Sequence, residues 1–581
     1  VLKEGKSDMA DAITTETLKV LQADVPLSAT LHVWLKAVTP DAPGTMAFML
    51  GGDKIGEVSV SNAEEYVFRT FVASSGGALS CVYDTKTTAV SVAYFFNAAE
   101  VVEKGITVMH TSAANAPAPV PHGYHFRPPF GWMNDPNGFG RFAGRPHLFY
   151  QHYSHGLRWN TMHWGHAVSE DYIHWHHMPI FLFPSEDLTA RPDRRGGAFS
   201  GSAIPMGDEG GIRVFFTEQV IDRTPETQVQ LTATSHNIIT ASQAEVILAN
   251  RPVGLGLTLD FRDPYVVKGP DGLWKMVLGS LSQQGGVILL YETDDPTAAT
   301  GWRFAGTLLL EERFGTAVIE CPCLLPLDGP ADDPDTHWAL VYGLMNSTHA
   351  DTGRKNLTLI AVGHFDGVRF MTDFEQELDF GTDNYAFQAF VDAGVPVGIG
   401  WLANWADVSH TIDFPTAVTL PRNLLLEDGA ILTPPVEAVE SLRSGIIDDT
   451  GLAVGKTVQL DTGAVEILLD LSWPGASFVL HFDHPDADLA LQLDAEGLSI
   501  LYALPGPHAQ ADGGTEPRYI ARGARPVNLR IFLDAGSIEV FADHGRWAGT
   551  KRIEGFEPVR SVRLEAAEGY VTSGRIFALK L

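Results

Sequence analysis

Apolar and polar residues alternate in short runs along most of the chain, the mark of strands with one buried face. Between about residues 28 and 98 the runs are 29–37, 45–50, 57–60, 66–72, 79–83 and 90–95, broken by Gly51-Gly52, Asp53 and Ser74-Ser75-Gly76-Gly77. They predict a small antiparallel β-sandwich. Its aromatics are candidates for a carbohydrate-binding face; the plainer reading is a packing domain, since most scattered aromatics are core. Residues 112–121, rich in Ala and Pro, read as a linker. From there to about residue 430 strand follows strand with hardly any helical periodicity, as in 147–153, 164–168, 214–217, 228–234, 274–279, 287–291, 338–342, 357–363 and 397–401. Many short strands without intervening helices leave a sandwich, a barrel or a propeller, and no strong internal repeat separates the three. Residues 434–443, with Glu437, Glu440 and Arg443 on a polar face, predict a short connecting helix. Alternation resumes at 464–473, 477–482, 489–493, 498–501, 529–534, 537–542 and 561–564, predicting a second β-sandwich. The fold class is therefore all-β, in three domains: 1–118, 119–430 and 431–581.

Composition narrows the function. The 581 residues are 45% hydrophobic and 19% charged, and no apolar run approaches the ~20 residues that span a bilayer, so no membrane segment is expected. A formal net charge of −31 argues against a nucleic-acid partner and suits an uncharged ligand such as a sugar. Cys81, Cys321 and Cys323 give neither a disulfide framework nor zinc spacing. His147, His152, His155, His163, His166, His174, His176 and His177 lie close together. None has H-E-x-x-H spacing, so neither a metal nor another cofactor is expected; the histidines read as hydrogen-bonding groups beside a pocket. No basic and apolar leader precedes a small-residue cleavage site. The expectation is a cytoplasmic protein, with Met9 as a native start; a secreted form freed of its leader is the alternative.

The candidate chemistry centres on Trp132-Met133-Asn134-Asp135-Pro136-Asn137-Gly138. Pro136 biases Asp135 toward extended backbone and Asn137-Gly138 is turn chemistry, so the carboxylate is expected at a strand end, facing outward. This string resembles the N-terminal motif of glycoside hydrolase family 32, the β-fructofuranosidases. Phe199-Ser200-Gly201-Ser202-Ala203, Phe261-Arg262-Asp263-Pro264, Glu320-Cys321-Pro322, Asp383-Asn384-Tyr385-Ala386 and Trp401-Leu402-Ala403-Asn404-Trp405 follow in the family's order. Asp534-Ala535-Gly536-Ser537-Ile538-Glu539-Val540-Phe541 resembles its C-terminal domain and reads as structural. The resemblance covers roughly 120–581.

It implies a five-bladed β-propeller with the catalytic residues on inner strands, followed by the sandwich. It also implies Asp135 as a nucleophile kept ionised by amides such as Asn134, and Glu320 as general acid and then general base. Ile319, Cys321 and Pro322 would give Glu320 an apolar setting. Asp263 would accept hydroxyl hydrogen bonds and stabilise ring charge, and Arg262 would bind a hydroxyl or hold a carboxylate. Asn134, Gln151, Trp159, Phe199 and Ser200 match the sugar subsite, while Tyr385 and Trp405 match an aromatic pair toward the mouth, with Trp401 as a substitute. Phe199 stands where the family usually has tryptophan and Asn384 where it commonly has an aromatic, which affects the pocket wall and the leaving-group preference. The implied activity is retaining exo-hydrolysis of sucrose or short fructans. Open alternatives are a fructosyltransferase making fructooligosaccharides or difructose anhydride, and a noncatalytic sugar-binding propeller.

Overall fold

The computed structural model describes residues 17–115, 123–189, 196–207, 210–408, 417–472, 477–504, 517–554, 557–566 and 571–581. Met9 and residues 116–121 of the expected linker lie outside them. The chain forms two compact units, Val1–Ala116 and Pro117–Leu581.

The first unit holds two four-stranded antiparallel sheets. Leu31, Val33 and Leu35 from Ala29–Ala37 meet Met46, Phe48, Leu79, Cys81 and Phe95 in one apolar core. The pattern missed the strand Leu18–Val25 because Leu18 and Val20 are exposed while Leu21 is buried. Trp34, Tyr94 and Phe96, with His32, are buried in an aromatic cluster, not displayed as an open sugar-binding face.

In the second unit five sheets follow one another along the described chain. Their first strands are Trp132–Phe142, Gly196–Met206, Phe261–Lys268, Val318–Pro326 and Tyr385–Asp392. Each lies beside the first strands of the preceding and following sheets, and the last returns to the first. This is a β-propeller. The first four sheets are four-stranded antiparallel meanders; the fifth has three strands. The inner strands are covered on both faces: Trp132–Phe142 and Phe261–Lys268 are buried at nearly every position.

Every inner strand is interrupted at the same depth. Asn134-Asp135, Phe199-Ser200, Asp263-Pro264, Cys321-Pro322 and Ala386-Phe387 are each two residues opposite a single partner-strand residue. A bulge of this kind breaks the alternation of faces and re-aims a side chain. Asp263, Cys321 and Ala386 have φ of 63°, 48° and 51°, the left-handed region that few non-glycine residues adopt. Pro264 and Pro322 fit because a bulge residue has no ladder bond to give. Asp135 is thus not at a strand end before a turn: Trp132–Phe142 runs through Asn137-Gly138, and Pro136 pairs with Tyr150.

After a 3₁₀ helix, Glu437–Leu442, shorter than the expected 434–443, come two six-stranded sheets packed as a β-sandwich. Ile467, Leu480, Leu491, Ile531, Val540 and Leu564 are in its core. Its junction with the propeller is charged and buried. His125 Nδ1 lies 2.8 Å from Asp534 and Nε2 2.7 Å from Glu539. Arg422 reaches Asp379 at 3.0 Å and Glu539 at 2.6 Å, all three fully buried.

Burial alone would lower the His125 pKa, but hydrogen bonds to Asp534 and Glu539 outweigh it and push the pKa up to about 9. A pKa raised by folding adds stability that is complete below the ordinary value of 6.5 and disappears as pH rises through about 9. Melting temperature measured from pH 6 to pH 10 is expected to fall over the upper part of that range. His125→Gln, which cannot carry the charge, is expected to flatten this limb and to cost roughly 3–5 kcal/mol at pH 6 by leaving buried carboxylates uncompensated.

Candidate active site

The bulges converge on a cavity of about 440 Å³ at the centre of the propeller. Asn134, Asp135, Gln151, Trp159, Phe199, Ser200, Arg262, Asp263, Glu320 and Trp405 all line it. The three expected carboxylates come from the first, third and fourth inner strands, 128 and 57 residues apart in sequence (263 − 135 and 320 − 263).

Asp135 is held by donors on both oxygens. Asn134 Nδ2 donates to Oδ1 at 3.0 Å and Ser200 Oγ to Oδ2 at 2.6 Å. Asn134 is oriented in turn by the Trp132 indole N–H at 2.8 Å. Burial, reinforced by the Glu320 charge, pushes the Asp135 pKa up to about 6 against the pull of those donors. Asp263 receives the backbone N–H of Cys321 at 2.9 Å. Burial raises it furthest; Arg262 opposes this, while Glu320 and Asp135 add to it, and its pKa stands at about 7. The Cys321 thiol lies 3.6 Å from both Asp135 and Asp263. Burial and the three carboxylates push it far above the usual thiol range, so it stays a neutral donor between two acids.

Glu320 does not sit against the apolar wall its sequence neighbours suggested. Arg262 Nε and Nη2 approach Oε1 at 3.2 and 3.0 Å, and the Tyr385 hydroxyl donates to Oε2 at 2.8 Å. Ile319 and Pro322 are buried behind it, because the bulge turns the glutamate one way and its neighbours another. Arg262 also contacts Asp260 at 2.6 Å, so one guanidinium is divided between two carboxylates.

Tyr385 therefore differs from its expected place at the mouth: it is 1% exposed, beneath Glu320, and is not among the lining residues. Trp401 is fully buried as well. The open aromatic rim is Trp159, 37% exposed and edge-on to Phe199, with Trp405 stacked on Trp132 at 6.2 Å. Asn384 is buried beside Gly400 and does not line the cavity.

Asp260, Gln219, Ile221, Gln228 and Met345 line the cavity without having been singled out as site residues. Gln228 accepts the Phe261 N–H at 2.6 Å, fixing the strand just before Arg262. A polar residue at such a position carries no one-dimensional signal, since its partner is on another strand. The histidines belong elsewhere. His147 and His166 bond to each other at 2.9 Å against Phe149, and burial holds His147 near 4, His152 near 3 and His163 near 4, neutral core groups of the first sheet. Among the described residues His337, His364 and Asp373 bring three donor atoms within 4.8 Å on the fourth sheet, away from the cavity lining.

Two carboxylates, a shared guanidinium and hydroxyl and amide donors around one sugar-sized space suit acetal cleavage, which needs one group to attack or activate water and another to protonate the leaving oxygen.

Residues 125–435 match the family model described as "Glycosyl hydrolases family 32 N-terminal domain", and residues 499–576 the one described as "Glycosyl hydrolases family 32 C terminal". A sucrose-6-phosphate hydrolase of Escherichia coli is 31% identical over 462 residues, covering 77% of this chain and 92% of the relative. A levanase of Bacillus subtilis is 30% identical over 498 residues, covering 77% and 68%. A glycoside hydrolase family 32 structure from Bifidobacterium adolescentis has a TM-score of 0.83 at 22% identity, covering 97% of this chain and 99% of that one. A GH32 β-fructofuranosidase of Bombyx mori has a TM-score of 0.66 at 26% identity, covering 79% and 94%.

Because folding raises the Asp263 pKa from 3.8 to about 7, its contribution to stability is complete below pH 3.8 and is lost as pH rises through 7. Asp263→Asn removes that charge. Its melting temperature relative to wild type is expected to be higher at pH 8.5 than at pH 5, by the equivalent of roughly 1–3 kcal/mol in thermal denaturation.

Proposed function

The chain belongs to glycoside hydrolase family 32, and on that premise we propose that it is a retaining exo-β-fructosidase acting on sucrose or short fructans. The observation carrying this reading is that Asp135, Asp263 and Glu320 face one cavity. Similar proteins named sucrose-6-phosphate hydrolase and levanase point to fructosyl substrates. Among the described lining residues four carboxylates accompany a single guanidinium, a balance that suits an uncharged sugar. No cofactor enters the chemistry proposed here.

We assign the propeller five blades, the Val1–Ala116 unit a sandwich fold, and the chain the division 1–118, 119–430 and 431–581. Asn134, Gln151, Ser200 and Arg262 read hydroxyls, while Trp159, Phe199 and Trp405 supply flat apolar walls. With a pKa near 6, Asp135 is an anion at neutral pH. Its oxygen attacks the anomeric carbon as the bond to the leaving oxygen breaks, and Glu320 gives that oxygen its proton. Water then attacks the fructosyl ester, its proton passes to Glu320, and Asp135 is released. Asp263 accepts hydroxyl hydrogen bonds and offsets positive charge on the ring. Tyr385 and Arg262 orient Glu320, and Arg262, divided between Glu320 and Asp260, is left less firmly tied to either.

Initial rates and products on sucrose, kestose, inulin and levan test the reading. Fructose should appear first as the β-anomer by NMR, and Asp135→Asn should lower kcat at least ~10³-fold in enzyme that is folded by circular dichroism. An α-anomer first, or undiminished turnover, would reject the mechanism; mainly kestose-type products at high sucrose would make the enzyme a transferase. Because charge stabilisation needs the Asp263 anion and attack the Asp135 anion, kcat/KM is expected to fall as pH drops through about 7 and then about 6.

A further inference from the structure

The segment that delivers Tyr385 to Glu320 is clamped from outside the propeller. Phe380 N–H donates to the Ala548 carbonyl at 2.9 Å and Asp383 N–H to the Thr550 carbonyl at 3.2 Å. Those carbonyls belong to the edge strand Trp547–Arg552 of the C-terminal sandwich. Thr550 answers through its N–H and hydroxyl, each 2.7 Å from Asp379. Residues 379–383 thus run along that edge as an added strand would. The approach is so close that a Cβ on Gly381 would collide with the Thr550 backbone. At the end of the clamp Asp383 Oδ2 accepts both the Lys551 ammonium, at 2.6 Å, and the Arg552 N–H, at 2.8 Å. Lys551 is 2% exposed and its ammonium also lies over the Tyr502 and Tyr519 rings, at 5.4 and 4.8 Å. It has little freedom to move.

From Asp383 the chain takes two residues to reach Tyr385. Thr358 holds the intervening Asn384 carbonyl at 3.1 Å, and the Tyr385 hydroxyl then donates to Glu320 at 2.8 Å. We propose that Lys551, through Asp383, is a positioning residue for the reaction: the sandwich fixes the height of Tyr385 and so the direction in which the Glu320 carboxyl faces the leaving oxygen. The proposal rests on the assignment of Glu320 as proton donor. A purely structural ion pair would affect how long the fold survives, whereas a positioning pair affects the chemical step in folded enzyme.

The discriminating measurement is kcat against KM on sucrose for Lys551→Met, Lys551→Arg, Tyr385→Phe and the Lys551→Met/Tyr385→Phe double variant, at a temperature where each is folded by circular dichroism. Lys551→Met is expected to lose about tenfold in kcat with KM within twofold, Lys551→Arg to recover most of it, and the double variant to be no slower than Tyr385→Phe alone, since both changes act through one hydrogen bond. If Lys551→Met does not fold, Asp383→Asn, which keeps the side chain's shape, takes its place with the same expectation. Wild-type kcat in folded Lys551→Met or Asp383→Asn, or losses that multiply in the double variant, would overturn the proposal. Hydrolysis of sucrose by the wild type in the same assay reports separately on the assigned activity.

Discussion

At the depth of the cavity each of the five inner strands carries one residue more than its neighbour can pair. Without that surplus, strict alternation would send successive side chains to opposite faces of each sheet, and no strand could present two adjacent functional groups to the axis. With it, Asn134 and Asp135 both line the cavity, as do Phe199 and Ser200, and Arg262 and Asp263. Left-handed backbone at Asp263, Cys321 and Ala386 accompanies this arrangement, and strain of that kind persists only where the surroundings over-determine it. Below the cavity Gln388 supplies some of that rigidity: its oxygen accepts from Phe139 N–H at 2.7 Å and its amide donates to the Gly201 carbonyl at 3.0 Å, tying three inner strands together.

Charge is managed by the same close quarters. Three carboxylates share one cavity, and burial first, with their mutual repulsion added to it, pushes two of them toward neutrality. The chain answers with donors fixed to neighbouring strands: Ser200 from the second, Arg262 from the third, Cys321 from the fourth and Tyr385 from the fifth. Arg262 is held in turn by Asp260, and the segment before Tyr385 by the edge of the sandwich, so these polar contacts form a connected network and not a set of separate pairs.

The all-β character and the short strands were legible in the period-two pattern, and the acids were legible as short strings because proline and glycine bracket them. Pro264 and Pro322 could be read as neighbours of Asp263 and Glu320, but their reason, a bulge with no ladder bond to donate, appears only once the strands are paired. Tyr385 was mislocated for the same cause: its depth depends on contacts between residues about 170 positions apart, 379–383 and 548–552. The histidines read as a pocket cluster because only proximity in sequence is visible there; alternation along Arg145–Tyr153 and His163–Ser169 buries His147 and His166 against Phe149. The aromatics of the first unit illustrate the converse, since ring content says nothing about which face is covered.

The propeller is closed where its beginning meets its end: Val418 N–H donates to the Phe126 carbonyl at 3.0 Å, and His125, one residue earlier, is gripped by Asp534 and Glu539. That fastening lies more than 400 positions downstream of what it fastens. All five sheets precede Asp534 and Glu539 in the chain, so the seam gains its ionic partners only from the part synthesised last. Loop closure over such a distance is slow and leaves apolar edges uncovered meanwhile. A chain ending before Asp534 would leave the buried His125 without either of its carboxylates, so the N-terminal edge of the ring depends on the far end of the sequence for its charge balance.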